Sequence, residues 1–168
     1  MEGNSIRIII TGLLVTETLL WGFPDYIHGK AICVAAVYHF FHANIFHLAA
    51  NLLSVWLIFL KGRRYPLSHF ILAYIIATLS WYCSAVPVVG VSNFIFALLG
   101  LRTPSLKDRW WRQSSVVTFL AVTVGMAFVP NVSAVTHIVS FALGCICAGV
   151  GRIFKSIGSD YARASYNQ

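Results

Sequence analysis

The chain alternates between long apolar runs and short clusters of basic residues. Three runs contain no charged side chain and cover residues 31–60, 65–101 and 113–151, and a shorter N-terminal run contains Glu17. A transmembrane helix needs about 20 apolar residues. The N-terminal run (residues 6–23) and the run at 31–60 therefore each predict one membrane span. The two longer runs each predict two spans joined by a tight turn.

Turn-forming residues near the middle of the two longest runs support this division. Pro87 and Gly90 lie in one run and Pro130 lies in the other, so the pattern predicts six helices in total. The fourth helix is short, because the basic residue Arg102 follows about ten residues after Ser92. Such a helix does not cross about 30 Å of hydrocarbon. We therefore expect it to be central and surrounded by protein, with a water-filled pocket above its N-terminus.

Composition supports a membrane protein and excludes several other classes. Hydrophobic residues make up 58% of the chain and charged residues only 10%, whereas soluble domains carry about 25% charged residues. A soluble globule, a disordered chain and a disulfide-stapled secreted module are all excluded. We predict an all-α integral membrane protein with a six-helix domain at residues 1–155. A short cytoplasmic tail without regular structure follows at residues 156–168.

The net charge of +7 arises from basic residues at the ends of the predicted spans, as in juxtamembrane anchors. They form no basic stripe, so we expect contact with the lipid bilayer and no nucleic-acid partner. Placing the N-terminus inside leaves only Lys30 outside among the 12 Lys and Arg residues. Both termini are therefore predicted to be cytoplasmic.

The cysteines and clustered histidines do not predict a metal or cofactor site. The four cysteines lie within apolar runs and lack the spacing of zinc ligands. His39, His42 and His47 are close in sequence, but no carboxylate or thiolate lies near them. We therefore expect no metal and no cofactor.

Polar residues inside three of the predicted spans are the main candidates for function. The second, fourth and sixth spans all run from outside to inside, so their N-terminal ends lie at similar depth. The second begins at His42 and carries His47 and Asn51, which share a helix face at a spacing of four. The fourth begins at Ser92, and the sixth carries His137. Such residues are costly to bury in a membrane and are functional by default.

Small residues at a spacing of four predict how two of these helices meet. Gly100 follows Ser92 on one face of the fourth helix, and Ser140 and Gly144 lie near His137 on the sixth. Such stripes let membrane helices approach closely. Pairing the two faces places Ser92 beside His137.

This arrangement is typical of nucleophilic catalysis. A serine hydroxyl is a poor nucleophile unless a base removes its proton, and histidine is the usual base. The helix start at Ser92 also offers free backbone N–H groups and a positive dipole end to a developing oxyanion. His47 and Asn51 would add side-chain donors to that oxyanion hole.

In these motifs the chain resembles the rhomboid intramembrane serine proteases, over nearly its whole length and at the family's minimal six-helix size. The shared motifs are a histidine and an asparagine four residues apart in helix 2, a G-x-S sequence before a short helix 4 with a later glycine, and a histidine followed by two small residues in helix 6. The matching positions are His47, Asn51, Gly90, Val91, Ser92, Gly100, His137, Ser140 and Gly144.

The resemblance implies a six-transmembrane-helix, rhomboid-like bundle that cleaves membrane-protein substrates in or next to their transmembrane segments. It implies a Ser92–His137 catalytic dyad without an acidic third member, an oxyanion hole formed by His47, Asn51 and the Ser92 backbone, and no cofactor. The expected location is the bacterial inner membrane, with the site open to the outer side. A non-catalytic rhomboid-like protein that binds membrane clients is the alternative. A small transporter or haem-binding membrane subunit is a third class.

Three departures from the family pattern concern the shape of the site. Asn93 replaces the usual glycine after the serine and either crowds the oxyanion hole or supplies another donor to it. Phe96 replaces the usual tyrosine, so it can pack on the His137 ring but has no hydroxyl. Ser140 replaces a glycine, which is a mild change.

Overall fold

The computed structural model contains helices in every long segment that it describes. The described residues are 2–23, 36–58, 66–84, 88–103 and 133–166, with isolated positions 113, 116, 117 and 119, and side chains are described to residue 154. In chain order the elements are α1 (Gly3–Trp21), a 3-10 turn (Tyr38–Phe40), α2 (Ile45–Ile58), α3 (Leu67–Trp81), α4 (Ser92–Arg102) and α5 (Ala134–Tyr166). The prediction of an all-α protein is confirmed for this part of the chain.

Helices α1 to α4 correspond to the first four predicted spans and α5 to the sixth. The fifth predicted span, between residues 113 and 130, lies almost entirely outside the described residues, as do Lys30 and Lys107. Within the described ranges, Gly3–Trp21 and Ala134–Phe154 are long and apolar enough to cross a membrane, and the other three helices are shorter apolar helices. The total of six spans therefore stays a prediction.

Local sequence explains where α1 ends and where α2 begins. Gly22 follows α1 with a φ of +71°, a left-handed conformation that favours glycine. Asn44 precedes α2, and its side-chain Oδ1 accepts a hydrogen bond of 2.9 Å from the backbone N–H of His47. This bond satisfies one of the free backbone N–H groups at the helix start. The sequence pattern predicts that this helix begins at His42, which instead lies in the preceding segment.

Helix α5 is longer than the sequence analysis predicts. Its backbone remains helical through Tyr166, so the expectation of a tail without regular structure is wrong for residues 156–166. This segment contains no proline and includes alanine and arginine, which favour helices. It therefore extends a helix that is already formed and avoids the cost of nucleating a new one.

The short helix α4 is the most deeply buried element of the described structure. Every residue from Ser92 to Leu98 is buried, and α4 packs most extensively against α5 and then against α3. Large apolar side chains on other helices are exposed, including Leu19 at 80%, Phe46 at 82% and Phe154 at 71%. The fold thus places a buried helix inside a bundle whose outer surface is apolar.

Two glycines allow α4 and α5 to approach at backbone distance. A Cβ atom added to Gly144 would lie 2.5 Å from the carbonyl oxygen of Ala97, and one added to Gly100 would overlap the carbonyl oxygen of Phe141. Real Cβ atoms essentially never come this close to backbone atoms. Ser140, one turn before Gly144, is fully buried. The contact between these helices therefore depends on the absence of side chains at both glycines.

Candidate active site

The start of α4 forms one side of a buried polar cluster. Ser92 is the first residue of α4 and is 7% exposed. It follows a sharp turn at Gly90, whose φ of +109° is a backbone conformation that residues other than glycine rarely adopt. The turn changes the chain direction immediately before the helix, so Ser92 lies where the N–H groups at the start of α4 are free of intrahelical partners.

The start of α5 places a histidine directly against this serine. His137 lies in the first turn of α5 and is 3% exposed. Its Nε2 atom is 2.8 Å from the Oγ atom of Ser92, within hydrogen-bond distance. The Phe96 ring, one turn along α4, packs on the imidazole with its centroid 4.7 Å away. Among the described residues, Nδ1 of His137 has no hydrogen-bond partner.

Two polar side chains from α2 lie beside the turn that precedes Ser92. A Cβ atom added to Gly90 would lie 2.7 Å from Cε1 and 2.8 Å from Nε2 of His47, and 3.2 Å from Nδ2 of Asn51. The α-carbon of Gly90 therefore faces both side chains. Asn51 is 3% exposed, and its Nδ2 atom has no partner within the described structure. The structure thus brings His47 and Asn51 together with the segment that carries Ser92.

The preceding segment orients the His47 ring. The backbone N–H of Ala43 donates to Nδ1 of His47 at 3.4 Å. The ring of the fully buried His42 lies edge-on to the His47 ring, with centroids 5.3 Å apart. These contacts hold the imidazole with its Nε2 atom towards Gly90.

Asn93 adopts an arrangement that the sequence analysis does not consider. Its Nδ2 atom donates a hydrogen bond of 2.7 Å to the hydroxyl oxygen of Tyr38, which lies in the 3-10 turn before α2. Sequence reasoning missed Tyr38 altogether. Its neighbours offered a weak signal, because a tyrosine and two histidines occur together in an otherwise apolar segment. Within the described residues there is also no group of three side chains suited to hold a metal ion.

Comparison with protein-family models decides the family of the chain. A model described as the rhomboid domain matches residues 32–153, which include every residue of the cluster described above. The chain belongs to the rhomboid family. Searches of curated proteins and of solved structures found no match.

Membership of the rhomboid family accounts for the surface of the molecule. Rhomboid proteins are integral membrane proteins, so the prediction of a membrane protein is confirmed at this level. A membrane setting accounts for exposed apolar side chains such as Leu19, Phe46 and Phe154, because an apolar surface in contact with lipid carries no cost. The polar cluster around Ser92 lies in the interior of the same bundle.

Proposed function

We propose that this rhomboid protein is a serine endopeptidase that cleaves membrane-protein substrates in or next to their transmembrane segments. The observation that carries the proposal is the 2.8 Å separation between Ser92 Oγ and His137 Nε2 in a buried site. A serine hydroxyl becomes a useful nucleophile when a histidine nitrogen accepts its proton. Both groups are held on packed helices, which keeps the reacting atoms within reach.

The mechanism follows from the positions of these two side chains. Ser92 Oγ attacks the carbonyl carbon of the scissile peptide bond while His137 Nε2 takes the hydroxyl proton. The same nitrogen then gives that proton to the leaving amine, and a water molecule hydrolyses the acyl-enzyme by the reverse sequence of proton transfers. The Phe96 ring against the imidazole limits its rotation, a task that a carboxylate performs in the Ser-His-Asp triad.

His47 and Asn51 have the donor chemistry that an oxyanion hole needs. In an uncharged imidazole one nitrogen accepts and the other carries the hydrogen. Because His47 Nδ1 accepts from the Ala43 N–H, the ring hydrogen lies on Nε2, on the side that faces Gly90. The amide nitrogen of Asn51 is buried beside it without a partner in the described structure. With the backbone N–H of Ser92, these donors would stabilise the tetrahedral intermediate.

The membrane topology completes the proposal. Both termini lie in the cytoplasm, because this orientation leaves Lys30 as the only Lys or Arg residue outside. The site then opens towards the outer aqueous side, which supplies the water for hydrolysis. A substrate must present extended backbone to Ser92, so a transmembrane helix weakened by glycine, proline or polar residues near its outer end is the expected target.

Labelling with a fluorophosphonate probe tests the proposal directly. The purified wild-type protein in detergent should be labelled, and mass spectrometry should locate the label on Ser92. Ser92→Ala should remain unlabelled under the same conditions, and only the wild type should cleave a transmembrane model substrate. A wild-type protein that shows neither labelling nor cleavage with several substrates would favour the non-catalytic, client-binding alternative.

Asn51→Ala is expected to reduce kcat without eliminating turnover. Removing one donor from an oxyanion hole costs on the order of 10²–10³ in kcat, about 2.7–4 kcal/mol, while the remaining donors still act. Steady-state cleavage of a transmembrane model substrate measures this effect.

Ser54→Ala is the matched control for Asn51→Ala. Ser54 lies on the same helix, but its hydroxyl donates to the backbone carbonyl of Ala50 at 2.8 Å and takes no part in the polar cluster. This variant should keep the wild-type kcat. Equal kcat values for the wild type and Asn51→Ala would show that Asn51 is not a donor of the oxyanion hole.

A further inference from the structure

The segment that carries Ser92 is held on both sides by a single residue. Tyr38 lies in the 3-10 turn before α2 and is completely buried. Its backbone carbonyl oxygen accepts a hydrogen bond of 3.0 Å from the N–H of Gly90. Its hydroxyl oxygen accepts a hydrogen bond of 2.7 Å from Nδ2 of Asn93. Gly90 and Asn93 flank Ser92 in sequence, so Tyr38 fixes the backbone before the serine and the side chain after it.

The direction of these hydrogen bonds follows from the donors available. The Tyr38 hydroxyl lies 3.0 Å from the backbone carbonyl oxygen of Ala77 in α3, and a carbonyl oxygen only accepts. A tyrosine hydroxyl has one hydrogen, which it therefore donates to Ala77. Its oxygen is left to accept from Asn93, and only the amide nitrogen of Asn93 can donate. The Asn93 amide group is thus oriented by a chain of hydrogen bonds that ends on α3.

Tyr38 is itself held firmly against α3. Its ring stacks on Trp81, with centroids 5.9 Å apart and planes inclined by 27°. The next residue, His39, has its Nε2 atom 3.2 Å from the hydroxyl of Thr78. The 3-10 turn is therefore fixed to one face of α3 and forms a rigid support for the start of α4.

We propose that Tyr38 and Asn93 are positioning residues that hold Ser92 Oγ within reach of His137. This inference rests on the proposed function. The hydrogen bond between Ser92 and His137 spans 2.8 Å, and a misplacement of about 1 Å at a reacting group costs about 10²-fold in rate. Asn93 stands where the usual family motif has glycine, so its link to Tyr38 is an additional constraint on the nucleophile in this chain.

Two conservative variants remove the link from opposite ends. Tyr38→Phe removes the hydroxyl and keeps the ring, and Asn93→Leu keeps a similar volume without the amide. Each should lower kcat and the rate of fluorophosphonate labelling by the same factor, between about 10-fold and 100-fold, with KM unchanged. The double variant should be no slower than the slower single variant, because both changes break the same link. Asn93→Gly provides the test if Asn93→Leu does not fold.

Tyr74→Phe separates positioning from general stability. The Tyr74 hydroxyl of α3 donates a hydrogen bond to the backbone carbonyl oxygen of Ala36, which lies before the 3-10 turn. The variant removes this bond between a tyrosine of α3 and a backbone carbonyl, and it leaves both bonds of Tyr38 to Gly90 and Asn93 in place. Its thermal midpoint should fall about as far as that of Tyr38→Phe, while Ser92 is labelled at the wild-type rate.

The possible outcomes distinguish this inference from the proposed function. An active wild type with wild-type labelling rates in Tyr38→Phe and in the Asn93 variants would overturn the positioning role alone. Equal slowing in Tyr74→Phe and Tyr38→Phe would also overturn it, since the effect would then be one of stability. A wild-type protein that is neither labelled nor active would overturn the proposed function and the positioning role together.

Discussion

Replacing either Ser92 or His137 by alanine is expected to eliminate turnover, and the double variant should be no worse than either single variant. The two side chains form one catalytic unit in the proposed mechanism, and the members of such a unit are strongly non-additive. Ser92→Ala removes the nucleophile, and His137→Ala leaves the hydroxyl without the nitrogen that lies 2.8 Å away. The kcat of purified variants with a transmembrane model substrate measures the effect.

Ser80→Ala is the matched control for this experiment. Ser80 is even more deeply buried than Ser92, but its hydroxyl donates to the backbone carbonyl of Ile76 in its own helix at 2.7 Å. Loss of that bond should leave cleavage intact. Comparable thermal midpoints for all variants would show that lost activity does not reflect unfolding. Full cleavage by Ser92→Ala would exclude the serine-protease mechanism.

Gly144→Leu is expected to abolish activity without preventing insertion into the membrane. Even a Cβ atom at this position would lie 2.5 Å from the carbonyl oxygen of Ala97, so a leucine side chain forces α5 away from α4. Because α5 carries His137 and α4 carries Ser92, the separation of the helices separates the two side chains. Overpacking of this kind typically also destabilises a protein by about 1–3 kcal/mol. Fluorophosphonate labelling of the membrane-inserted protein measures the loss.

Gly149→Leu on the same helix provides the control, because nothing lies within 4 Å of a Cβ atom added there. This variant should be labelled at the wild-type rate and should appear in the membrane fraction in similar amount. If Gly144→Leu retained full activity, the close approach of α4 and α5 at this glycine would not be needed to hold Ser92 against His137.

Much of the site can be predicted from the regular spacing of residues within single helices. His47 and Asn51 are four residues apart on one helix face, and the structure places both against Gly90. The small residues of α4 and α5 predicted which faces of the two helices meet, and therefore predicted Ser92 and His137 as neighbours. In each case a local pattern defines a helix face, and the need to bury polar groups limits where that face can point.

Contacts made by irregular segments cannot be predicted from helical spacing. Asn93 and Tyr38 are 55 positions apart in the chain, and their contact depends on how an irregular segment folds against α3. No periodic pattern in the sequence predicts where a 3-10 turn lies, so only the structure identifies Tyr38 as the partner of Asn93. The start of α2 is a different case: an asparagine before an apolar helix is a common N-cap, but the predicted start at His42 does not use Asn44.

The short helix α4 precedes the helix that covers it in the chain, and this order has a consequence for the biosynthesis of the protein. Its 11 residues extend about 16 Å, roughly half of the hydrocarbon thickness. A nascent chain that ends before α5 contains Ser92, but it lacks both the histidine and the helix that covers the Gly100 face of α4. On the proposed mechanism such a chain is inert. On that mechanism the site is complete only once α5 has been made and has packed against α4, because α5 carries His137.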